Sequence, residues 1–194
     1  MSEAQNPPPA VQMAGWIGAL ADRTPAPGGG AAAAVAGALA AASGAMAAAY
    51  TTGKKWPDRS AEADALATRL RDAAHRALEL ADEDAAAYAR VRTAQVAGAP
   101  AVAEAEVLAL GVPQALLALL ANEAEAVAAF LPRCNPQLVS DILVSLHLFA
   151  GAAKAAWRTL LANRPPASLA DSARVVMMRV IRAESQAEVL AGCD

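Results

Sequence analysis

The chain has 194 residues, of which 57 are alanine and only seven aromatic (three Trp, two Tyr, two Phe), and its formal charge is −3. That length suits one domain. The composition argues against a sheet-built fold, because alanine is the best helix former and the β-branched and aromatic residues that build strands are scarce. The acidic balance excludes a broad nucleic-acid surface, and the apolar content excludes disorder.

Residues 1–10 are polar and Pro-rich, without the basic start and apolar core of a secretory signal. They read as a flexible N-terminus before a single domain over 11–194. Residues 11–22 read as a short helix. Residues 24–30, T-P-A-P-G-G-G, interrupt it, since each proline biases the residue before it toward extended geometry. Residues 31–50 then carry no charge and are long enough to span a bilayer. Most of them are Ala and Gly, which favours a central helix gripped by neighbours on all sides, with no membrane role. That helix is expected to run to Thr52 and to end at Gly53-Lys54-Lys55-Trp56-Pro57. Asp58 or Ser60 is expected to cap a long amphipathic helix reaching about Ala97. Gly98-Ala99-Pro100 breaks the chain. A helix from Ala101 is expected to be interrupted near Gly111-Val112-Pro113 and to resume to Leu131. Asn135 as N-cap and Pro136 as first helical residue open a helix to Asn163. After Pro165-Pro166, Ser168 with Asp171 resembles a capping box for a last helix to about Leu190. The sum is an all-α, antiparallel bundle of about six helices around an Ala/Gly-rich central one.

Several residues stand out against this pattern. On the long helix, Leu66, Leu70, Ala73, Ala77 and Leu80 mark the buried stripe. Eighteen residues complete five turns, so Asp84 lies at the angle of Leu66, with Tyr88 one turn later, while Asp82 and Glu83 point elsewhere. A carboxylate on a core-facing stripe costs free energy unless it is partnered or neutralised. It reads either as an acid of raised pKa facing a substrate or as a structural hydrogen-bonding group. Asp141 lies among Leu138, Ile142 and Ser145 near a helix start, where the dipole favours an anion. His147, Lys154 and Arg158 form a stripe expected to be solvated. With only His75 as a second histidine, no metal site can be assembled, and Cys134 and Cys193 read as incidental thiols. Three glycines, Gly28, Gly29 and Gly30, precede a helix start. They read either as a tight turn or as a place where backbone N–H groups approach an anionic ligand.

Thr24-Pro25-Ala26-Pro27-Gly28-Gly29-Gly30, the Ala/Gly helix and Thr52-Gly53-Lys54-Lys55 together resemble the signature of the cyclodeaminase/cyclohydrolase family. Asp84-Ala85-Ala86-Ala87-Tyr88 resembles its D-x-x-A-F segment, and Asn135-Pro136-Gln137-Leu138-Val139-Ser140-Asp141 its N-x-x-x-x-S-D helix start. The resemblance covers residues 11–165. It departs at Leu143, where relatives usually carry Gly, and at Thr159, where they usually carry Asn, although Asn163 is kept. It also lacks a basic stretch: no Lys or Arg occurs between Arg92 and Arg133, which removes an attraction for the anionic glutamate tail of a folate.

The resemblance implies an all-α homodimer in the cytoplasm that acts on a tetrahydrofolate derivative, with no further cofactor, nucleic acid or membrane partner. It implies Lys54, Asp84 and Asp141 as catalytic residues, and Pro27, Gly28, Gly29, Gly30, Asn135 and Ser140 as substrate-binding ones. The expected reaction is hydrolysis of the 5,10-methenyl bridge to 10-formyltetrahydrofolate, because the chain carries no formiminotransferase half. The alternatives are the cyclodeaminase that closes a 5-formimino group and expels ammonia, an enzyme of the same fold acting on another cyclic amidine or imine, and a non-catalytic helical scaffold. Both folate reactions pass through a tetrahedral carbon between two nitrogens and need a group that moves a proton beside a cationic amidinium.

Overall fold

The structure, a computed structural model, describes residues 8–192. Most of the expected flexible segment over 1–10, and Cys193, lie outside that range. Pro9 and Ala10 lie inside it and are helical, a correction whose reason is that proline is at ease in a first helical turn, where its missing N–H is not needed. Six helices follow: α1 (Pro9–Ala21), α2 (Gly29–Ala49), α3 (Ser60–Ala97), α4 (Ala99–Phe130), α5 (Val139–Ala162) and α6 (Ala167–Ala191). Two 3-10 turns, Leu131–Arg133 and Pro136–Leu138, join α4 to α5. No strand occurs among the described residues.

Alanine sets the packing. Buried Ala31, Ala34, Ala38, Ala41, Ala45 and Ala48 let α3, α4 and α5 close on α2. Three helices close in together at Gly44, where a Cβ would meet Ser145 of α5 at 3.0 Å, Leu70 of α3 at 3.1 Å and Val127 of α4 at 3.2 Å. Ser145 Oγ also donates to the Ala40 carbonyl at 2.7 Å. Leu70, Leu80, Leu116, Leu120, Phe130 and Phe149 fill the space around this seam. Among the described residues Glu123 of α4 is a buried acid, and it accepts two bonds, at 2.8 and 3.1 Å, from Arg69 of α3.

The expectation that α2 is gripped on all sides needs correction. Leu39, Ala42, Met46 and Tyr50 are exposed, and Ala32, Val35, Ala36, Ser43 and Ala49 are half-buried. These positions recur every three or four residues, so they form one open stripe along the helix. Gly29–Ala49, Pro100–Arg133 and Pro136–Ala162 are each long and apolar enough to cross a membrane, and the first is the most buried inside the fold.

Three further boundaries differ from expectation. First, α4 is not interrupted at Pro113. Proline at that position leaves the Ala109 carbonyl without its helical donor, and Asn163 Nδ2, at the end of α5, donates to that carbonyl at 3.2 Å instead. Second, neither Asp58 nor Ser60 caps α3. The N-cap is Arg59, with no side-chain bond, and Ser60 Oγ accepts from the Gly53 N–H at 3.0 Å, tying the loop instead. Third, α6 starts at Ala167 behind Pro166 with no side-chain cap, so Ser168 lies inside the first turn, where its carbonyl accepts from Ser172 Oγ at 2.8 Å. The join between α3 and α4 is a single residue, Gly98, at φ 110°, a conformation that an L side chain rarely adopts.

Candidate functional site

The loop over 22–28 delivers three glycines to the start of α2. Thr24 Oγ1 ties it down, donating to the carbonyls of Ala19 (3.2 Å) and Ala26 (3.1 Å), and the Ala26–Pro27 bond is cis. Gly28 is extended, and helix geometry leaves the first amides of α2 without intrahelical acceptors. One of them, Ala31 N–H, donates to Asp84 Oδ2 at 3.1 Å. Asp84 reaches it from α3, fifty-three residues along the chain. The carboxylate therefore closes the positive end of α2 from a neighbouring helix. Gly30 is small because Asp84 is there: a Cβ on residue 30 would fall within contact distance of the carboxyl carbon and both carboxyl oxygens.

Asp84 is half-buried, as its place on the Leu66 stripe predicts. Burial pushes its pKa above the ordinary aspartate value, and the Ala31 N–H partly offsets the rise. Asp82 and Glu83 are exposed, and Glu83 pairs with Arg76.

Asp84 opens into a cleft of about 330 Å³. Gly28, Gly29 and Gly30 form one side, Ala87, Tyr88 and Val91 of α3 the floor, and Ala109, Thr159 and Asn163 the far wall. A Cβ on Gly28 or Gly29 would meet nothing within 4 Å, so the backbone there faces open space. Thr159 Oγ1 is turned back onto the Ala155 carbonyl at 3.0 Å, while Asn163 is held by Ala109.

The other residues singled out by the sequence gather at the opposite end of α2, about 30 Å away along a helix of 21 residues. Thr51 is buried there. Its Oγ1 donates to the Ala47 carbonyl at 3.0 Å and accepts from the Asn135 N–H at 3.0 Å. Asn135 is buried too, and its Oδ1 accepts from the Gln137 N–H at 3.1 Å, so it caps a 3-10 turn rather than α5 itself. Ser140 is exposed. Asp141 is half-buried in the first turn of α5, and its carbonyl accepts from Ser43 Oγ at 3.3 Å. Lys54 is exposed in the following turn, beside Lys55, which stacks over the Trp56 ring at 5.3 Å. Burial pushes the Cys134 thiol above its ordinary pKa, in keeping with an unreactive group.

The structure thus joins Pro27–Gly30 motif residues to Asp84, and Lys54 to Asn135, Ser140 and Asp141, but within one chain it does not bring the two groups together. His147 is half-exposed, as expected, but not free: its Nδ1 lies 2.8 Å from Glu184 Oε1 of α6. No group of three or more metal-ligating side chains occurs among the described residues. Sequence reasoning missed Val91 and Ala109 as cleft residues. Their only signal is that Val91 lies one turn beyond Tyr88, and that Ala109 lies one turn before Pro113.

The Formiminotransferase-cyclodeaminase family model matches residues 12–181. No curated protein matches the sequence. Among solved structures, formiminotetrahydrofolate cyclodeaminase from Thermotoga maritima is similar, with a TM-score of 0.84 at 21% identity over 91% of this chain and 93% of that one.

Proposed function

The chain belongs to the formiminotransferase-cyclodeaminase family, and from that premise we propose that the Asp84 cleft binds a tetrahydrofolate derivative and moves a proton at its one-carbon amidine. The observation that carries this reading is the half-buried Asp84 carboxylate, held by the Ala31 N–H and open to a cleft beside three glycines. Burial makes it a better proton acceptor than an ordinary aspartate. A cationic amidinium placed beside it offsets the cost of its charge, so ligand and carboxylate stabilise each other.

The reaction favoured is cyclodeamination. N10 attacks the formimino carbon and a tetrahedral centre forms. Asp84 takes the proton from N10 and returns it to the amino nitrogen, which leaves as ammonia. The positive charge stays on the 5,10-methenyl product. The family description supports this direction. The Thermotoga protein that bears the cyclodeaminase name is also covered to 93% of its length, so a chain of this size is compatible with that activity. Hydrolysis of the methenyl bridge is the second reading, since the same carboxylate would take a proton from the attacking water. Ammonia release from 5-formiminotetrahydrofolate, followed beside the loss of methenyl absorbance, separates the two. A rate no faster than buffer in both assays would remove the enzymatic reading and leave the scaffold.

The proposal extends to a cytoplasmic homodimer packed on the open stripe of α2. A two-fold axis across the middle of that helix would set the partner's Lys54 beside Asp84, a cation against a carboxylate, and would give Lys54 and Asp141 access to the substrate.

A further inference from the structure

The cleft does not end at Asn163. Val91, Ala109 and Asn163 line both the compartment that holds Asp84 and a second one, of about 380 Å³, beyond it. The two differ in character: the first has a mainly apolar wall, the second a mainly polar one. Gln95 of α3, Glu106 of α4 and Arg164 of the turn before α6 supply that polarity. Along α3, Gln95 lies eleven residues beyond Asp84, about 16 Å at the rise of an α-helix.

Arg164 is unusual in its backbone. It has φ 51°, the one positive value at a non-glycine among the described residues. A side chain in the left-handed region is uncommon, and Gly or Asn would sit there with less strain. Arg164 is also exposed and, like Arg23, Arg71, Arg90 and Arg158, forms no ion pair among the described residues; what sets it apart from them is its place in the lining of the outer compartment. Gln95 accepts from Arg92 Nη1 at 3.3 Å, which leaves its NH2 group as a donor.

We infer that Arg164 is the specificity-determining residue of this outer compartment and takes a carboxylate at the far end of the ligand whose one-carbon unit lies at Asp84. The inference rests on the folate reading and deepens it. The p-aminobenzoyl group is a rigid, flat spacer suited to the apolar inner compartment. The glutamate beyond it carries an amide and two carboxylates, which match Glu106 as acceptor of an N–H, Gln95 as donor and Arg164 as a planar cation. The attraction missing between Arg92 and Arg133 is thereby supplied from the turn between α5 and α6. Glu106 repels a carboxylate on its own side, so the acid group is directed to Arg164.

The test is calorimetric titration of the full chain with 5-formyltetrahydrofolate and with the same compound bearing both glutamate carboxylates as amides. The wild-type protein is expected to bind the diacid about tenfold more tightly. Arg164→Asn, which is at ease at this backbone angle, is expected to abolish the preference, and Arg164→Lys to keep most of it. A preference unchanged in Arg164→Asn, or absent from the wild type while both compounds bind, overturns the assignment of Arg164 alone. A wild-type protein that binds neither compound overturns the folate reading and this inference with it.

Discussion

The two ends of α2 contain the same kind of motif residue but are built differently. At the Gly28 end, a carboxylate from α3 meets the free amides of a helix start, is half-buried, and faces a cleft. At the Lys54 end, the buried polar groups are already used: Thr51 and Asn135 bond to each other and to the backbone, and Lys54 and Ser140 lie in the open. One end has unspent hydrogen-bonding capacity beside a cavity. The other has a satisfied network that pins α2 to the junction of α4 and α5. Proximity in a motif is therefore a poor guide to chemistry here, and the degree to which polar groups are already partnered is a better one.

The sharpest way to break this comparison is Asp84→Asn. Asparagine keeps an acceptor for the Ala31 N–H but cannot carry the proton, so kcat/KM for ammonia release should fall by about 100-fold to 10,000-fold with the fold intact. Next, Gly30→Ala would put a methyl group where the carboxyl sits and should lower kcat by about tenfold or more. Gly28→Ala, which meets no neighbour, should leave folding unchanged and act only on KM. At the other end, Lys54→Ala should leave stability alone. If the partner's Lys54 serves Asp84, mixing and refolding the inactive Lys54→Ala and Asp84→Asn proteins should restore part of the activity. A mixture that stays inactive rules out the shared site.

Smaller effects sharpen the same contrast. Thr51→Val removes a donor and an acceptor from a buried network and should cost about 1 to 3 kcal/mol in denaturant unfolding, with kcat per folded molecule retained. The smallest effect concerns pH. The folded-state pKa of Asp84 is raised, so its protonated form favours the fold. That contribution is complete below the unfolded-state value and is lost as pH rises through the folded-state value. Asp84→Asn escapes the loss. Its Tm should match the wild type in acid and exceed it near neutrality, and equal Tm values at both would count against a buried carboxylate.

Much of the fold was legible because local signals suffice for it. T-P-A-P-G-G-G and G-K-K-W-P bracket α2, and the single-residue join at Gly98 is announced by Gly98-Ala99-Pro100. The angle of Asp84 relative to Leu66 placed that side chain on an inward face before any contact was known. What was not legible depended on residues far apart in the chain. Pro113 looks like a break until Asn163 is seen to serve the carbonyl of Ala109, fifty-four residues before it. The burial of Glu123 likewise depends on Arg69, fifty-four residues earlier in the chain. That Lys54 lies at the opposite end of α2 from the three glycines was legible, since the two motifs flank one helix, but which of those ends Asp84 and Asp141 reach was not, because motif order does not fix it. The outer compartment combines side chains of α3 and α4 with a turn at the far end of α5, and no short stretch of sequence announces it.

The most direct test of the central claim is a crystal structure of the protein with 5-formyltetrahydrofolate bound. The account predicts the one-carbon unit within hydrogen-bonding reach of the Asp84 carboxylate, with the ligand lying along α3 between the glycines and Asn163. A ligand seated instead at the Lys54 end, on Asn135 and Asp141 of the same chain with the Asp84 cleft empty, would contradict it.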